Sequence, residues 1–176
     1  MRNQDIENRW RNVLAQLERA DGSTDDVFDA VDDLQSHLRE QLFPEGHPVE
    51  RPTEIEPNDG RLELLFDALA TLAVLEPEDA SYPWDRGWLL SLFGRHLEAA
   101  EDYLTAARLA ARDAQAGTGS VDDAADWAKS ALYHAAKNLA LGGHPTAAAA
   151  LLPQLDPEDR SEVEPLVGAQ AARTIL

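Results

Sequence analysis

The feature that most constrains this chain is a helical spacing of its apolar residues that resumes after every break. Apolar side chains recur at steps of three and four residues in segment after segment, and no stretch alternates apolar with polar residues as a half-buried strand would. Glycine and proline mark the breaks, because both residues end helices. The spacing therefore predicts an all-α protein built from antiparallel α-hairpins, with about eight helices.

Predicted helix ends follow from the residues at each break. Ser23 suits the start of a helix, because its hydroxyl can accept a hydrogen bond from a free backbone amide, and Gly94 suits a helix end. The segment after Trp84 is apolar on nearly every side, which is typical of a helix buried between neighbours. The expected helices cover about residues 4–20, 23–42, 59–76, 84–93, 95–115, 121–141, 146–155 and 158–173.

A proline-rich stretch separates the first two helices from the rest. Residues 43–58 hold four prolines and show no apolar period, so an ordered loop or a linker is expected there. The sequence therefore predicts an acidic helical hairpin over 1–43, a proline-rich loop over 44–58 and a helical repeat region over 59–176.

The charge balance narrows the classes of partner. Fifteen Lys and Arg residues stand against 33 Asp and Glu residues, which gives a net charge of −18 at pH 7, with the excess greatest toward the N-terminus. Nucleic acid and anionic membranes need cations that neutralise phosphate, so neither is expected as a partner. Two interpretations of the acidic surface stay open: a solubilising coat, or a docking surface for a basic partner.

Residues for catalysis or metal binding do not group in the sequence. The chain has no cysteine, and its five histidines show no metal-ligand spacing and no Glu three residues before any of them. Phosphate-binding loops and nucleophile elbows are also missing. Acidic pairs such as Asp25 and Asp26 are most simply solvated helix faces. We expect no catalytic residue, no metal site and no cofactor.

The N-terminal residues do not contain the apolar core of a secretion signal. The apolar runs elsewhere are far shorter than the ~20 residues that cross a bilayer. A soluble, cytoplasmic protein is therefore predicted.

Residues 94–106 resemble the turn and second helix of the tetratricopeptide repeat. In that family a turn glycine is followed by a small residue, an aromatic residue and an alanine, and Gly94, Ala99, Tyr103 and Ala106 occupy those places. The preceding segment supplies Trp84 and Gly87 near the family's tryptophan and glycine positions.

A second, weaker copy of the pattern follows, and the resemblance covers about residues 81–157. The two turn glycines are 49 residues apart, whereas the family repeats every 34, so a longer second helix and the Gly-Thr-Gly-Ser segment at 117–120 are departures. The matching residues of the second copy are Ala136, Leu139, Gly143, Ala148 and Leu152, with Asp156-Pro157 resembling the closing proline.

The resemblance implies a short right-handed superhelix whose first helices line a groove for a partner peptide. The groove positions carried over from the family are Trp84, Trp88 and Ser91 in the first copy and Tyr133 and Lys137 in the second. Tryptophan and tyrosine often anchor interfaces. Burial in the core is the other interpretation of Trp84 and Trp88, because their helix is apolar throughout.

These features favour a non-catalytic protein–protein interaction module, an adaptor or scaffold that binds a protein or peptide partner. One alternative is an acidic inhibitor or immunity-type protein that neutralises a basic partner. Another is a regulatory subunit of a larger assembly, in which the N-terminal hairpin over residues 4–42 makes an assembly contact or a homo-oligomer.

Overall fold

A computed structural model describes Asn8, Ala15 and residues 24–46, 48, 50–57, 59–117 and 121–174. The regular structure of these residues is entirely helical, so the predicted all-α class is confirmed. The helix predicted over 4–20 lies outside the described residues apart from two isolated positions. The described helices are α1 (Thr24–Leu42), α2 (Gly60–Leu75), α3 (Ser81–Leu92), α4 (His96–Ala116), α5 (Val121–Leu141), α6 (Pro145–Leu151), a 3₁₀ turn (Leu152–Gln154) and α7 (Pro157–Thr174).

Two helix boundaries differ from the predicted ones for local reasons. Helix α3 begins three residues earlier than predicted, because the carboxylate of Asp79 accepts a hydrogen bond from the Ser81 amide at 2.7 Å and Pro83 is tolerated in a first turn. The helix predicted over 146–155 ends as α6 at Leu151 and continues as a 3₁₀ turn, since Pro153 has no amide to donate.

The chain divides into two compact units, residues 1–77 and 78–176. In the first unit α1 packs on α2. The carboxylate of Asp59 caps α2 by accepting from the Arg61 amide at 2.8 Å. The buried residues of this core are Val27, Val31, Leu34, Leu38 and Leu42 on α1, Phe43 and Ile55 between the helices, and Leu62, Leu65, Phe66, Ala68, Leu69 and Leu72 on α2.

This division differs from the one expected at the proline-rich stretch. The stretch over 43–58 lies inside the first unit, where it connects two helices that pack together. By this division α2 falls in the same unit as α1, and residues 78–176 form the other unit. Apolar spacing shows that each helix has a buried face, but it does not show which partner covers that face.

In the second unit each helix packs on the next one along the chain. Clusters of side chains also bring three elements together at a time. Alanines form most of these contacts, which allows the helix backbones to approach closely. Three successive clusters result: Trp84, Ala106, Ala107, Ala131 and Leu132 join α3, α4 and α5; Ala100, Leu139, Ala140 and Ala148 join α4, α5 and α6; and Ala136, Leu152, Leu155 and Val163 join α5, the 3₁₀ turn with the residue that follows it, and α7.

The hairpins α3–α4 and α5–α6 are closed by the same turn. Gly94 and Gly143 have φ values of +79° and +83°, a conformation that a residue with a β-carbon adopts only with strain. In both turns the amide after the glycine donates to the carbonyl five residues earlier, at 2.9 and 2.8 Å, which is the Schellman arrangement. The two hairpins therefore have the same turn geometry between their first and second helices.

Small buried residues occupy matching places in these two hairpins. Gly87 and Ala136 lie seven residues before the turn glycines, Ala99 and Ala148 lie five residues after them, and all four are buried. A β-carbon on Gly87 would lie 3.2 Å from the carbonyl oxygen of Ala99, so α3 and α4 are in close contact there.

Among the helices that the structure describes, none combines the length and the apolar character that a membrane-crossing helix needs.

Candidate partner-binding surface

Helices α3 and α5 meet through two stacked indoles. The ring centroids of Trp84 and Trp127 lie 5.5 Å apart with planes 13° from parallel. Tyr103 of α4 meets the Trp84 ring edge-on at 5.4 Å. Trp84 is half-buried by these contacts, whereas Trp127 remains 40% exposed. Trp127 therefore stays partly in contact with solvent although its ring stacks on Trp84.

His134 lies at the centre of this aromatic group. Its ring stacks on Tyr103 at 5.0 Å and meets Trp84 and Tyr133 edge-on at 5.5 and 4.9 Å. Burial lowers the pKa of His134, and the nearby positive charge of Lys137 lowers it further. The imidazole is therefore neutral at pH 7 and takes part in the packing as an uncharged ring.

Tyr133 and Lys137 are joined to α7 by a polar cluster. The Tyr133 hydroxyl donates to Glu162 Oε2 at 2.6 Å and accepts from Lys137 Nζ at 3.0 Å. Lys137 Nζ also lies 5.3 Å from the Tyr133 ring centroid and 4.0 Å from Glu162. The pKa of Tyr133 is raised by burial and by the hydrogen bond to Glu162. These contacts join the side of α5 that carries Tyr133 and Lys137 to α7.

Asn138 holds α5 in place from the buried side. It is 2% exposed, and its amide Nδ2 donates to the carbonyl of His134 at 2.9 Å. Its Oδ1 lies 2.9 Å from His96 Nδ1 at the start of α4. Because an amide oxygen only accepts, this contact assigns the proton to Nδ1 of His96. The pairing fixes the rotation of α5, and with it the positions of Tyr133 and His134.

The residues predicted to line a groove fall into two groups. Trp84, Tyr133 and Lys137 lie close to His134, where side chains of α3, α4 and α5 meet. Trp88 and Ser91 are half-buried and lie one and two turns further along α3, on the same side as Trp84 by their spacing. No residue of α3 is exposed, and both indoles are half-buried, so Trp84 and Trp88 lie between the core and the groove interpretations.

Sequence reasoning did not assign three residues to this surface. The spacing of seven between Trp127 and His134 places both on one side of α5, which is the sequence signal that points to them. Glu162 has no sequence signal, because its role depends on where α7 packs.

Acidic residues outnumber basic ones in the unit that carries the aromatic group. The second unit holds eight Lys and Arg residues and fifteen Asp and Glu residues. Asp123 lies one turn before Trp127 and Asp126 directly precedes it, and both are exposed. The nearby Lys129 Nζ lies 3.8 Å from Asp126 and 3.6 Å from Asp156, so two carboxylates already offset its charge.

The groups at this surface are suited to non-covalent contacts. Among the residues that the structure describes, no group of three or more His, Asp or Glu side chains is placed to hold a metal ion. What the surface offers is indole and phenol rings held in fixed orientations, with carboxylates beside them. Rigid aromatic side chains of this kind are common anchors in protein interfaces.

Comparisons with protein-family models, with curated proteins and with solved structures gave no significant match to this chain.

Proposed function

We propose that this chain is a non-catalytic protein–protein interaction module, an adaptor or scaffold of the tetratricopeptide-repeat type. Its binding site is the α3–α5 surface, defined by Trp84, Trp88, Ser91, Trp127, Tyr133 and Lys137. The observation that carries the proposal is the exposed indole of Trp127 stacked on Trp84. A tryptophan that stays 40% exposed although its ring is held rigidly is suited to contact a partner.

The repeat interpretation is supported by the two equivalent hairpins. The turns at Gly94 and Gly143 have the same backbone hydrogen bonds, and small buried residues occupy the same places around them. In helical repeats each unit buries its faces against the neighbouring units, as the three successive clusters do here. The spacing of 49 residues reflects the lengths of α4 and α5, which have 21 residues each.

The location of the surface also fits this type of protein. Helices α3 and α5 are the first helices of their hairpins, and a partner groove in such repeats lies along first helices. We propose that a partner segment runs over Trp84 and Trp127 toward Tyr133 and Lys137, with no cofactor and no nucleic acid involved.

Capture of a partner from native lysate on the immobilised full chain tests the proposal. The binding expected of Trp127 is apolar, so the partner should remain bound at about 0.5 M salt, where charge attraction is screened within a few ångströms. Trp127→Ala should weaken capture about tenfold, as interface tryptophans commonly do. Leu104→Ala is the matched control, because Leu104 is 36% exposed on α4.

The outcome that contradicts the proposal is equal capture by the wild type, Trp127→Ala and Trp88→Ala. Circular dichroism and urea unfolding of each variant establish that the fold is intact, so that a loss of capture is assigned to the surface.

The acidic charge favours a second candidate function, neutralisation of a basic partner. Residues 1–77 hold eighteen Asp and Glu residues against seven Lys and Arg residues. A partner bound through these charges should be lost at about 0.5 M salt, with the association rate falling most. Its capture should also be unaffected by Trp127→Ala. The same experiment therefore separates the two functions.

A further inference from the structure

We infer that the full chain forms a weak homodimer in which α4 of one copy packs antiparallel on α4 of the other. The contact is the α4 stripe, defined by Leu97, Glu101, Leu104 and Arg108 on one side of the helix. The stripe shares no residue with the α3–α5 surface, so the inference goes beyond the proposed function and does not rest on it.

Exposed leucines are grouped at the α4 stripe. Leu97 is 43% and Leu104 is 36% exposed, and their spacing of seven residues places them two turns apart on one side of α4. Leu141 at the end of α5 is also exposed, and the next residue, Gly142, lies against α4, since a β-carbon there would be 3.5 Å from the Leu97 amide nitrogen. A grouping of this kind favours contact with another protein surface.

Two exposed charged residues alternate with the leucines along the stripe. Glu101 lies three residues before Leu104, and Arg108 lies four residues after it. Neither Glu101 nor Arg108 forms a salt bridge with any residue that the structure describes. The Arg108 guanidinium has only a long contact, 3.5 Å from Nη2 to the Thr105 hydroxyl. A negative and a positive group therefore flank Leu104 without an ion partner in this part of the chain.

Antiparallel pairing makes the stripe complementary to itself. A twofold axis close to Leu104 places residues that precede it in one copy opposite residues that follow it in the other. Glu101 of each copy then lies opposite Arg108 of the other, so that two salt bridges flank the leucines at the axis. A parallel arrangement would place Glu101 beside Glu101 and Arg108 beside Arg108, and like charges repel. The order of charges along the stripe therefore selects a second, antiparallel copy.

The size of the contact and the net charge make the dimer weak. Helix α4 has 21 residues and is about 30 Å long, so one pair of helices buries less than the roughly 1,600 Å² of a standard interface. Each copy also carries a net charge of −18, although the opposite charges of Glu101 and Arg108 cancel within the stripe. We expect a dissociation constant of about 10–100 µM.

Sedimentation equilibrium of the full chain over about 5–500 µM, at about 0.15 M salt, tests the dimer. The weight-average mass should rise with concentration from 19.3 kDa toward twice that value. Leu104→Glu should weaken association about tenfold or more, because it places two like charges near the axis. Val74→Glu is the matched control, since it adds the same charge at a 77% exposed apolar residue of α2 and should leave association unchanged.

Charge reversal tests the antiparallel arrangement itself. Glu101→Arg and Arg108→Glu should each associate about fivefold more weakly or worse, because both salt bridges become contacts between like charges. An equimolar mixture of the two variants should regain the wild-type association, since every reversed residue then faces an opposite charge. The mixture also has the same mean net charge as the wild type, so a general change in repulsion does not account for the recovery. Circular dichroism establishes that each variant is folded.

Three results overturn the inference. A constant monomer mass up to about 500 µM would leave the stripe to a different occupant. Association that persists in Leu104→Glu would place the dimer contact elsewhere, and a mixture no more associated than either reversed variant would contradict the antiparallel pairing. The proposed function has its own criterion, the loss of partner capture in Trp127→Ala, and this variant should dimerise as the wild type does.

Discussion

Trp84 and Trp127 stack with planes 13° from parallel, although they belong to helices separated along the chain by the whole of α4. Their burial is unequal. Trp84 also contacts Tyr103 and His134 and joins the alanine cluster of α4 and α5, whereas Trp127 is 40% exposed. The pair thus combines a structural tryptophan and an exposed one, and substitution should separate the two roles.

Trp84→Ala should lower the free energy of unfolding of the second unit by about 3 kcal/mol, because it leaves a cavity where three helices meet. Trp127→Ala should cost about 1 kcal/mol or less, since part of its ring is already in water. Urea unfolding monitored by circular dichroism measures both. Equal losses would show that the two indoles contribute equally to the fold.

Gly87→Ala should destabilise the protein by about 1–2 kcal/mol, although alanine is the better helix former by about 1 kcal/mol. The added β-carbon would lie 3.2 Å from the Ala99 carbonyl oxygen and 3.3 Å from side-chain atoms of Asp102 and Tyr103, so α3 and α4 would have to separate. Urea unfolding measures the change.

Gly168→Ala is the matched control. Gly168 lies within α7, and a β-carbon there would meet no atom within 4 Å. The substitution should raise the free energy of unfolding by about 0.5–1 kcal/mol through helix propensity alone. Stabilisation by both substitutions would contradict the close contact between α3 and α4.

Asp102 should give the protein a pH-dependent stability. Burial raises the pKa of Asp102 to about 6, against the lowering effect of Arg86, whose Nη1 donates to both carboxylate oxygens at 3.0 and 3.1 Å. The folded state therefore holds this proton more tightly than the unfolded state, in which the pKa is near 3.8. As the pH rises from 4 to 7, ionisation of Asp102 should lower the free energy of unfolding by up to ~3 kcal/mol.

The comparison with Asp102→Asn isolates this contribution, because the other carboxyl groups are common to both proteins. The difference in unfolding free energy between wild type and variant should change across pH 4 to 7, with the wild type becoming relatively less stable. A difference that stays constant over this range would rule out the raised pKa.

His134 should titrate below the usual pKa of a histidine, 6.5, because burial and Lys137 both disfavour its charged form. The unfolded state then binds the proton more readily, so stability should fall as the pH drops below 6.5. Two-dimensional NMR of the imidazole protons measures the midpoint, with the urea-unfolded chain as the reference. A midpoint at or above that of the unfolded chain would contradict the enclosed, neutral ring.

Most helix positions were predictable from local chemistry. Residues 121–141 were expected to be helical and form α5 with those bounds. Helix ends depend on groups within a few residues, such as the glycines at 94 and 143 or the proline at 153, and these are visible in the chain.

The candidate surface was predictable only in part. Aromatic residues at groove positions could be named, but the partners of Tyr133 and Trp84 could not. Tyr133 donates to Glu162 across 29 residues of sequence, and Trp84 stacks on a ring 43 positions away. No periodicity encodes such pairs, because they depend on how whole helices dock.

The sequence by itself determined that the chain is helical, where most of its helices begin and end, and that its surface is acidic, because these properties arise from neighbouring residues and from the sum of charges. Tertiary structure decided that α2 packs on α1, that Asp102 is buried beside Arg86 and that Trp127 stays 40% exposed although it stacks on Trp84. An amphipathic helix shows that one of its faces must be covered. Which helix covers that face is decided by the shapes and chain connections of all the helices together.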